Sequence, residues 1–427
     1  MLNRKSSPEI TDAVKFQLNL PPHQKITLRN GIEIYLVDMG TVDTLMMNVV
    51  FYAGNTFENK NGIASATNFM LKSGTHSKTA YEINDYFEYY GAYLNRQSSY
   101  ETAELTLHCM KKNFSELLPV VAELIADSVF PEEELGIYIK NMQQSLQVNL
   151  RKNDFIAGRL IDSYLFGQTH PYGRFSSLED YSALDIDGIK DFYNQYYLSG
   201  RCVIFVAGPL PTDIQTLMET HFGSLLFSGS SKPELAPSPI IPQKEKKYRI
   251  TNDPESVQGA IRIARNFPNR HHPDFQKMQV LNNIFGGYFG SRLMANIRED
   301  KGYTYGIHSY LMNLIQESSL MISTEAGKEV TEATILEVYE EMKKLREEPI
   351  PPDELKTSRN FMIGTLLGDL DGPFQVAGRW KSLILNGLTE EYFYNGIETI
   401  KKIQPVELQE LANKYLNPSD YYELAVF

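Results

Sequence analysis

The sequence predicts an α+β protein built from two homologous domains in tandem. Each domain is expected to be a mostly antiparallel sheet with helices packed on one face. Three observations predict it. First, residues 228–247 (SGSSKPELAPSPIIPQKEKK) carry Pro233, Pro237, Pro239 and Pro242. Proline removes backbone donors and favours extended geometry, so the segment reads as a semi-rigid linker between halves 1–227 and 248–427. Second, the halves close alike. Residues 186–208 echo 405–427, with Ile189, Phe192 and Tyr196 matching Leu408, Leu411 and Tyr415 at one constant offset. Third, strand patterns cluster with hairpin signals instead of alternating with single helices, which argues against a doubly wound parallel sheet.

The elements follow in order. Residues 25–38 hold Asn30-Gly31 between apolar alternations, a strong short-range hairpin signal. Residues 45–53 read as a strand, 63–72 and 80–90 as helices, and 102–109 alternate like a strand. Asn113 and Glu116 have capping-box spacing ahead of a helix whose apolar face is Leu117, Val120, Val121, Leu124 and Ile125. Each closing segment is an amphipathic helix, a turn and a β-rich strand. A second echo pairs residues 86–95 with 296–306 and aligns Gly91 with Gly302, so duplication is expected.

Composition narrows the function. The chain has 427 residues, 42% hydrophobic and 22% charged, as in soluble globular proteins. A net charge of −12 without a basic stripe argues against a nucleic-acid partner. Two cysteines, Cys109 and Cys202, make no disulfide framework. No apolar run has the length of a signal peptide or a membrane span, so a cytoplasmic protein with no membrane partner is expected, a processed precursor being the alternative.

Histidines 23, 76, 108, 170, 221, 271, 272 and 308 include no pair at i, i+3 or i, i+4. His271-His272 fall in a loop, where surface or capping roles are expected, and Cys109 reads as a small buried thiol. Residues 285–290 (FGGYFG) follow a helical pattern and not a strand, the wrong context for a dinucleotide site.

Longer motifs carry a resemblance. GIASATNFMLKSGT (62–75) resembles GLAHFLEHMLFKGT, the motif of the zinc peptidases that include pitrilysin, insulinase (insulin-degrading enzyme) and mitochondrial processing peptidase, family M16; Gly62, Ala64, Met70, Leu71, Gly74 and Thr75 keep its frame. YYGAYLNRQSSYET (89–102) is similar to GGxxNAxTxxxxT, and residues 281–306 are similar to LGGGFSSRLFxxLREEKGLxY. With FGQTHPYGR (166–174) the resemblance spans nearly the whole chain. It implies a processing-peptidase-like (LuxS-like) fold and the half-length bacterial type of subunit.

In active members the helix carries His-x-x-Glu-His: two imidazoles at i and i+4 hold one Zn²⁺, and the Glu is general base. Here those positions are Ser65, Asn68 and Phe69. The family's third ligand, a Glu, falls near residues 145–147, and no Glu occurs between Glu134 and Glu179. No metal and no cofactor are expected in this chain.

The second half keeps Arg298 and Tyr305 in the pattern RExxGxxY. The resemblance implies that both side chains serve a zinc site: the guanidinium holds a peptide carbonyl or carboxylate, and the phenol donates to the oxyanion. A salt bridge with a packed Tyr is the plain alternative. Asn95 matches an Asn on the strand edge where substrate pairs by β-addition, with a turn or structural role as the alternative. Taken together, the resemblance implies a zinc-free subunit of a heteromeric metallopeptidase. It would be inactive alone, partnered by a zinc-bearing homologous subunit that holds the Zn²⁺, and acting on peptides or unfolded proteins. The alternative is a pseudoenzyme: an inert structural or peptide-binding protein, possible as a homodimer.

Overall fold

The computed structural model describes residues 12–234 and 238–427. The expectations made for residues 1–11, and for Pro237 of the linker, lie outside the described residues.

Two sheets organise the chain. The first contains β1 (Gln24–Thr27), β2 (Glu33–Asp38), β3 (Thr44–Phe51), β4 (Tyr93–Ser98), β5 (Ala103–Met110) and β6 (Cys202–Gly208), in the order β1-β2-β6-β3-β5-β4. The second contains β7 (Lys247–Ile250), β8 (Gln258–Phe267), β9 (Ile307–Asn313), β10 (Ser318–Gly327) and β11 (Tyr422–Val426), in the order β7-β11-β8-β10-β9. In each, one neighbouring pair is parallel, β2 with β6 and β7 with β11, and the rest are antiparallel. Laid on one another, β2-β6-β3-β5-β4 and β7-β11-β8-β10-β9 have the same order and the same pairing senses, as duplication requires; β1 is an addition.

The helices of the first half are α1 (Ile63–Met70), α2 (Ala80–Tyr89), α3 (Phe114–Ala126), α4 (Glu132–Asn149), α5 (Asn153–Phe166), α6 (Leu178–Ser182), α7 (Ile186–Tyr193) and α8 (Ile214–Phe222). Those of the second are α9 (Asp274–Asn282), α10 (Thr331–Glu347), α11 (Pro352–Gly368), α12 (Pro373–Leu385), α13 (Glu390–Lys402) and α14 (Pro405–Tyr415). The closing helices α7 and α14 bury Ile189 and Phe192, and Leu408, Leu411 and Tyr415, before β6 and β11, which hold the same place in their sheets. Gly91 and Gly302 both take left-handed backbone, φ 59° and 67°, where a Cβ would be strained.

The expected turn at Asn30-Gly31 joins β1 to β2, with Thr27 opposite Glu33. The expected capping box at Asn113 does not form. Asn113 has helical φ and ψ (−100°, −3°), while a capping side chain needs extended backbone to reach back over the first turn. Its amide donates instead to the Tyr90 carbonyl at 2.9 Å. The apolar face proposed for that helix is buried as expected.

In the first sheet alternate side chains point to opposite faces. Leu36, Met47, Val49, Phe51, Ile204 and Val206 join the core beneath the helices, together with Leu117, Val121 and Ile189. Tyr35, Val50, Val203 and Phe205 point the other way, and there Ile384 and Leu385 of α12 pack on them. Trp380 donates its indole N–H to the Pro21 carbonyl at 2.8 Å and meets the His23 ring edge-on at 4.1 Å. Lys381 binds Glu104 of β5 at 2.8 Å. This second covered face explains why β6 is buried at every position.

Compact packing therefore differs from the expected division 1–227 and 248–427 at two places. One unit comprises Pro21–Lys244 with Gly372–Leu385. The other comprises Glu245–Asp371 and Asn386–Phe427, joined by the described residues up to Leu20. Apolar burial of α12 causes the first exchange. In the second, Lys401 donates to the Phe16 carbonyl at 2.7 Å and the Leu20 N–H reaches the Tyr394 hydroxyl at 3.4 Å.

Candidate functional site

In the unit holding Pro21–Lys244, α1 presents the positions of the zinc motif. Glu58 steadies its first turn by accepting from the Ala64 N–H at 3.1 Å, and Arg174 pairs with the same carboxylate at 3.1 Å. Ile63, Ala64, Ala66 and Met70 are buried in the core, which leaves Ser65 half-buried and Phe69 39% exposed on one more open face. The i, i+4 geometry that two ligands need is thus intact, but the side chains are not ligands. Asn68 is buried, with its amide 3.4 Å from the Glu104 carbonyl, and it has no proton-accepting carboxylate. The Phe69 ring packs on Tyr138 of α4 at 4.9 Å. The Arg96 guanidinium lies 4.4 Å over that ring and donates to the Phe69 carbonyl. On α4, Ser145 and Gln147 are exposed and Leu146 is buried. The residues present do not fit Zn²⁺: the imidazoles and carboxylate that would bind it are missing, and a guanidinium already stands against the ring at position 69. Among the described residues no group of three or more His, Cys, Asp or Glu could hold a metal ion.

Arg96 and Lys72 also stand where the motif pattern has other residues. The motif letters could have flagged both: the pattern's Asn-Ala reads Asn95-Arg96 here, and its Phe before Lys-Gly-Thr reads Lys72. Burial, reinforced by the charge of Arg96, lowers the Lys72 ammonium to about 8. Burial also lowers the Arg96 guanidinium. Asn95 is exposed on β4, opposite Thr106 of β5, and β4 is the edge strand of its sheet. Its outer backbone groups face no strand among the described residues, the arrangement that β-addition needs.

The other unit carries Arg298 and Tyr305. Met294–Asp300 is a wide helical turn that ends in Lys301 and left-handed Gly302. Thr304 then pins the chain by donating to the Glu325 carbonyl at 2.7 Å. Arg298 Nε donates to the Tyr305 carbonyl at 3.0 Å, and the guanidinium lies 4.7 Å over the Phe289 ring. Its nearest carboxylate is Glu299, at 3.5 Å. The Tyr305 side chain is 92% exposed. The pair is therefore brought together through the Tyr305 backbone, and the phenol itself is not packed.

The remaining candidates are structural. Cys109 is buried and its thiol is pushed up to about 12 by burial, so it is no nucleophile at neutral pH. His272 Nδ1 accepts from the Asp274 N–H at 3.1 Å, at the start of α9. A Cβ on Gly286 would meet Ser309 and Leu293 within 2.8 Å, so this glycine permits close backbone approach. No helix among the described residues is long and apolar enough to cross a membrane.

A twice-used α+β unit whose first helix keeps the frame of the zinc motif, with Ser65, Asn68 and Phe69 at its ligand and base positions, defines a peptidase-like fold. Two family models match the chain: Insulinase (Peptidase family M16) over residues 36–167 and Peptidase M16 inactive domain over residues 183–362. The chain belongs to peptidase family M16. It is 25% identical over 355 residues to the uncharacterized zinc protease YmxG of Bacillus subtilis, covering 82% of this chain and 84% of that one. It is 23% identical over 406 residues to the non-peptidase homolog YmxG of Helicobacter pylori, covering 91% and 89%. Its fold is similar to a crystal structure of a peptidase M16 inactive domain from Pseudomonas fluorescens, with TM-score 0.85, 22% identity, and 95% and 98% coverage.

Proposed function

We propose that this chain is the zinc-free subunit of a heteromeric M16 metallopeptidase, and that it supplies Arg298 and Tyr305 to a site whose Zn²⁺ is held by a homologous partner. In this reading the halves 1–227 and 248–427, joined by 228–247, are copies of one ancestral unit that have diverged in task. The observation that carries the proposal is the contrast between the two copies. At the zinc positions stand Ser65, Asn68 and Phe69, and the Phe69 ring is taken up by the Arg96 guanidinium and Tyr138. At RExxGxxY, Arg298 is preset against the Tyr305 carbonyl and the phenol stands free in solvent. At 92% exposure the Tyr305 ring is not a packed one, which leaves the phenol open to a ligand. The guanidinium suits a peptide carbonyl, and the phenol suits the oxyanion that develops on it.

The test is co-purification with a zinc-motif partner, followed by cleavage of an unstructured peptide. Tyr305→Phe should lower kcat/KM by about 10²–10³, the usual cost of one oxyanion donor. Arg298→Ala should lower it as well. Unchanged kcat/KM in both variants would show that neither side chain takes part.

A second reading is a peptide-binding protein with no part in catalysis. The open edge of β4, with Asn95 exposed on it, favours that reading. So does the printed description of the Helicobacter pylori relative as a non-peptidase homolog. A stable homodimer with no zinc-bearing partner in the cell would support it.

A further inference from the structure

A surface cavity of about 560 Å³ opens between the turn Met294–Asp300, the last turns of α10 and the start of α11. All of its lining residues belong to one compact unit. Its volume is in the range of small-molecule sites, about 300–1,000 Å³. Its charges are unevenly matched. Three cations line it, and each is committed to a different carboxylate. Arg292 holds Glu354 through two bonds of 2.8 and 2.9 Å. Lys301 pairs with Glu337 at 3.2 Å, and Lys344 with Glu341 at 2.7 Å. Two further carboxylates, Asp300 and Glu348, line the cavity and are exposed. Neither side chain makes an ion pair or hydrogen bond among the described residues.

Glu341 shows that the surplus is more than an exposed acidic rim. It is only 4% exposed, yet it lines the cavity. Its Oε1 accepts from Asn296 Nδ2 and from Lys344 Nζ, both at 2.7 Å, while its Oε2 receives no hydrogen bond among the described residues. A buried carboxylate oxygen without a donor is costly, and a cation bearing N–H groups relieves it. The carboxylates are also spread out. Glu348 stands just past the end of α10, seven residues beyond Glu341, about 10 Å along a helix axis. Asp300 comes from a different element, the end of the turn Met294–Asp300. Among the described residues no group of three or more His, Cys, Asp or Glu could hold a metal ion. One compact ion therefore does not fit this lining, and an extended one does.

We propose that this cavity binds a linear polyamine, an alkyl chain with two or more ammonium groups, with Asp300, Glu341 and Glu348 as its anionic partners. A primary ammonium brings three N–H donors, one of which can meet the free oxygen of Glu341. The methylene segments between ammonium groups let one molecule reach carboxylates that a single ion cannot gather. Two positive charges offset the two carboxylates that no lysine or arginine of the lining has taken. The C-terminal end of α10 adds to the attraction, because a helix C-terminus carries a partial negative charge. This inference goes beyond the subunit reading and does not depend on it, because no zinc, no second subunit and neither Arg298 nor Tyr305 enters it.

The test is isothermal titration calorimetry of the full chain near neutral pH and at low salt. Spermidine should saturate one site per chain and bind about tenfold or more tighter than butylamine, which offers one ammonium. MgCl₂ should displace it no better than NaCl of the same ionic strength. Asp300→Asn and Glu348→Gln should each weaken spermidine binding about tenfold, the usual effect of one charge-assisted bond. Glu341→Gln should weaken it at least as much, with circular dichroism checking the fold because that side chain is buried. Glu340→Gln, on α10 but outside the cavity lining, should leave binding unchanged. An equal loss in Glu340→Gln would mean diffuse attraction to a chain of net charge −12 and would overturn the proposal. So would the absence of saturable binding, equal binding of butylamine, or specific displacement by Mg²⁺. Tighter binding of an acetylated, amidated Lys-Ala-Ala-Lys peptide than of spermidine would also overturn it, because the cavity would then belong to a protein partner.

Discussion

Lys72→Met should stabilise the protein at neutral pH. The ammonium is half-buried, and burial with the neighbouring Arg96 charge brings its proton affinity down to about 8 from the ordinary 10.5. The native state therefore binds this proton more weakly than the unfolded chain does. At pH 7 both states are protonated, and the whole penalty falls on the native state. Between about pH 8 and 10.5 the native lysine is neutral while the unfolded one is still charged, so the unfolded state binds more protons and stability rises with pH. The gap sets an upper bound of about 3 kcal/mol. Water reaching the exposed part of the side chain screens it to about 1–2 kcal/mol. Methionine keeps the stem and removes the charge. Urea unfolding followed by far-ultraviolet circular dichroism, at several pH values across that window, should show the variant more stable by that amount at pH 7, with the advantage vanishing above pH 10. Other lysines and tyrosines titrate in the same range, so the difference between the two proteins is the quantity to read. A variant that is neutral or destabilised at pH 7, with the same pH slope as its parent, would refute the account of an unpaired, desolvated cation.

Trp380→Ala should cost about 3–5 kcal/mol, because it removes a buried indole, its bond to Pro21 and its contact with His23. Denaturant unfolding measures it, and a loss below about 1 kcal/mol would mean that α12 is not integral to the first sheet. Metal analysis of the purified chain should find well under one zinc per chain. The triple variant Ser65→His, Asn68→Glu, Phe69→His should not bring it to one, since Arg96 remains beside position 69 and α4 offers no carboxylate near residues 145–147.

The parts of the fold set by neighbours in sequence were legible. The turn at Gly31, the amphipathic face of α3 and the matched helix–strand endings of the two halves all depend on spacing within a few tens of residues. The loss of the zinc motif was equally plain, because ligand chemistry is a property of residue type. What escaped depends on distant partners. Nothing in the residues of α12 says that their apolar side rests on Tyr35, Val203 and Phe205, far earlier in the chain. Asn113 had the composition of a cap, but the carbonyl of Tyr90 competed for its amide. Arg96 and Lys72 depart from the motif letters, but only the folded chain shows each cation set against an aromatic ring.

The place of α12 also sets a schedule for synthesis. A ribosome that has released residue 244 has made every strand of the first sheet, yet Tyr35, Val50, Val203 and Phe205 still lack their cover. Roughly 140 further residues must emerge before that helix is complete, about 7–28 s at usual elongation rates. For that interval the nascent chain carries an apolar patch that it cannot bury by itself. Chaperone occupancy should therefore peak late in translation and fall once residue 385 has cleared the exit tunnel.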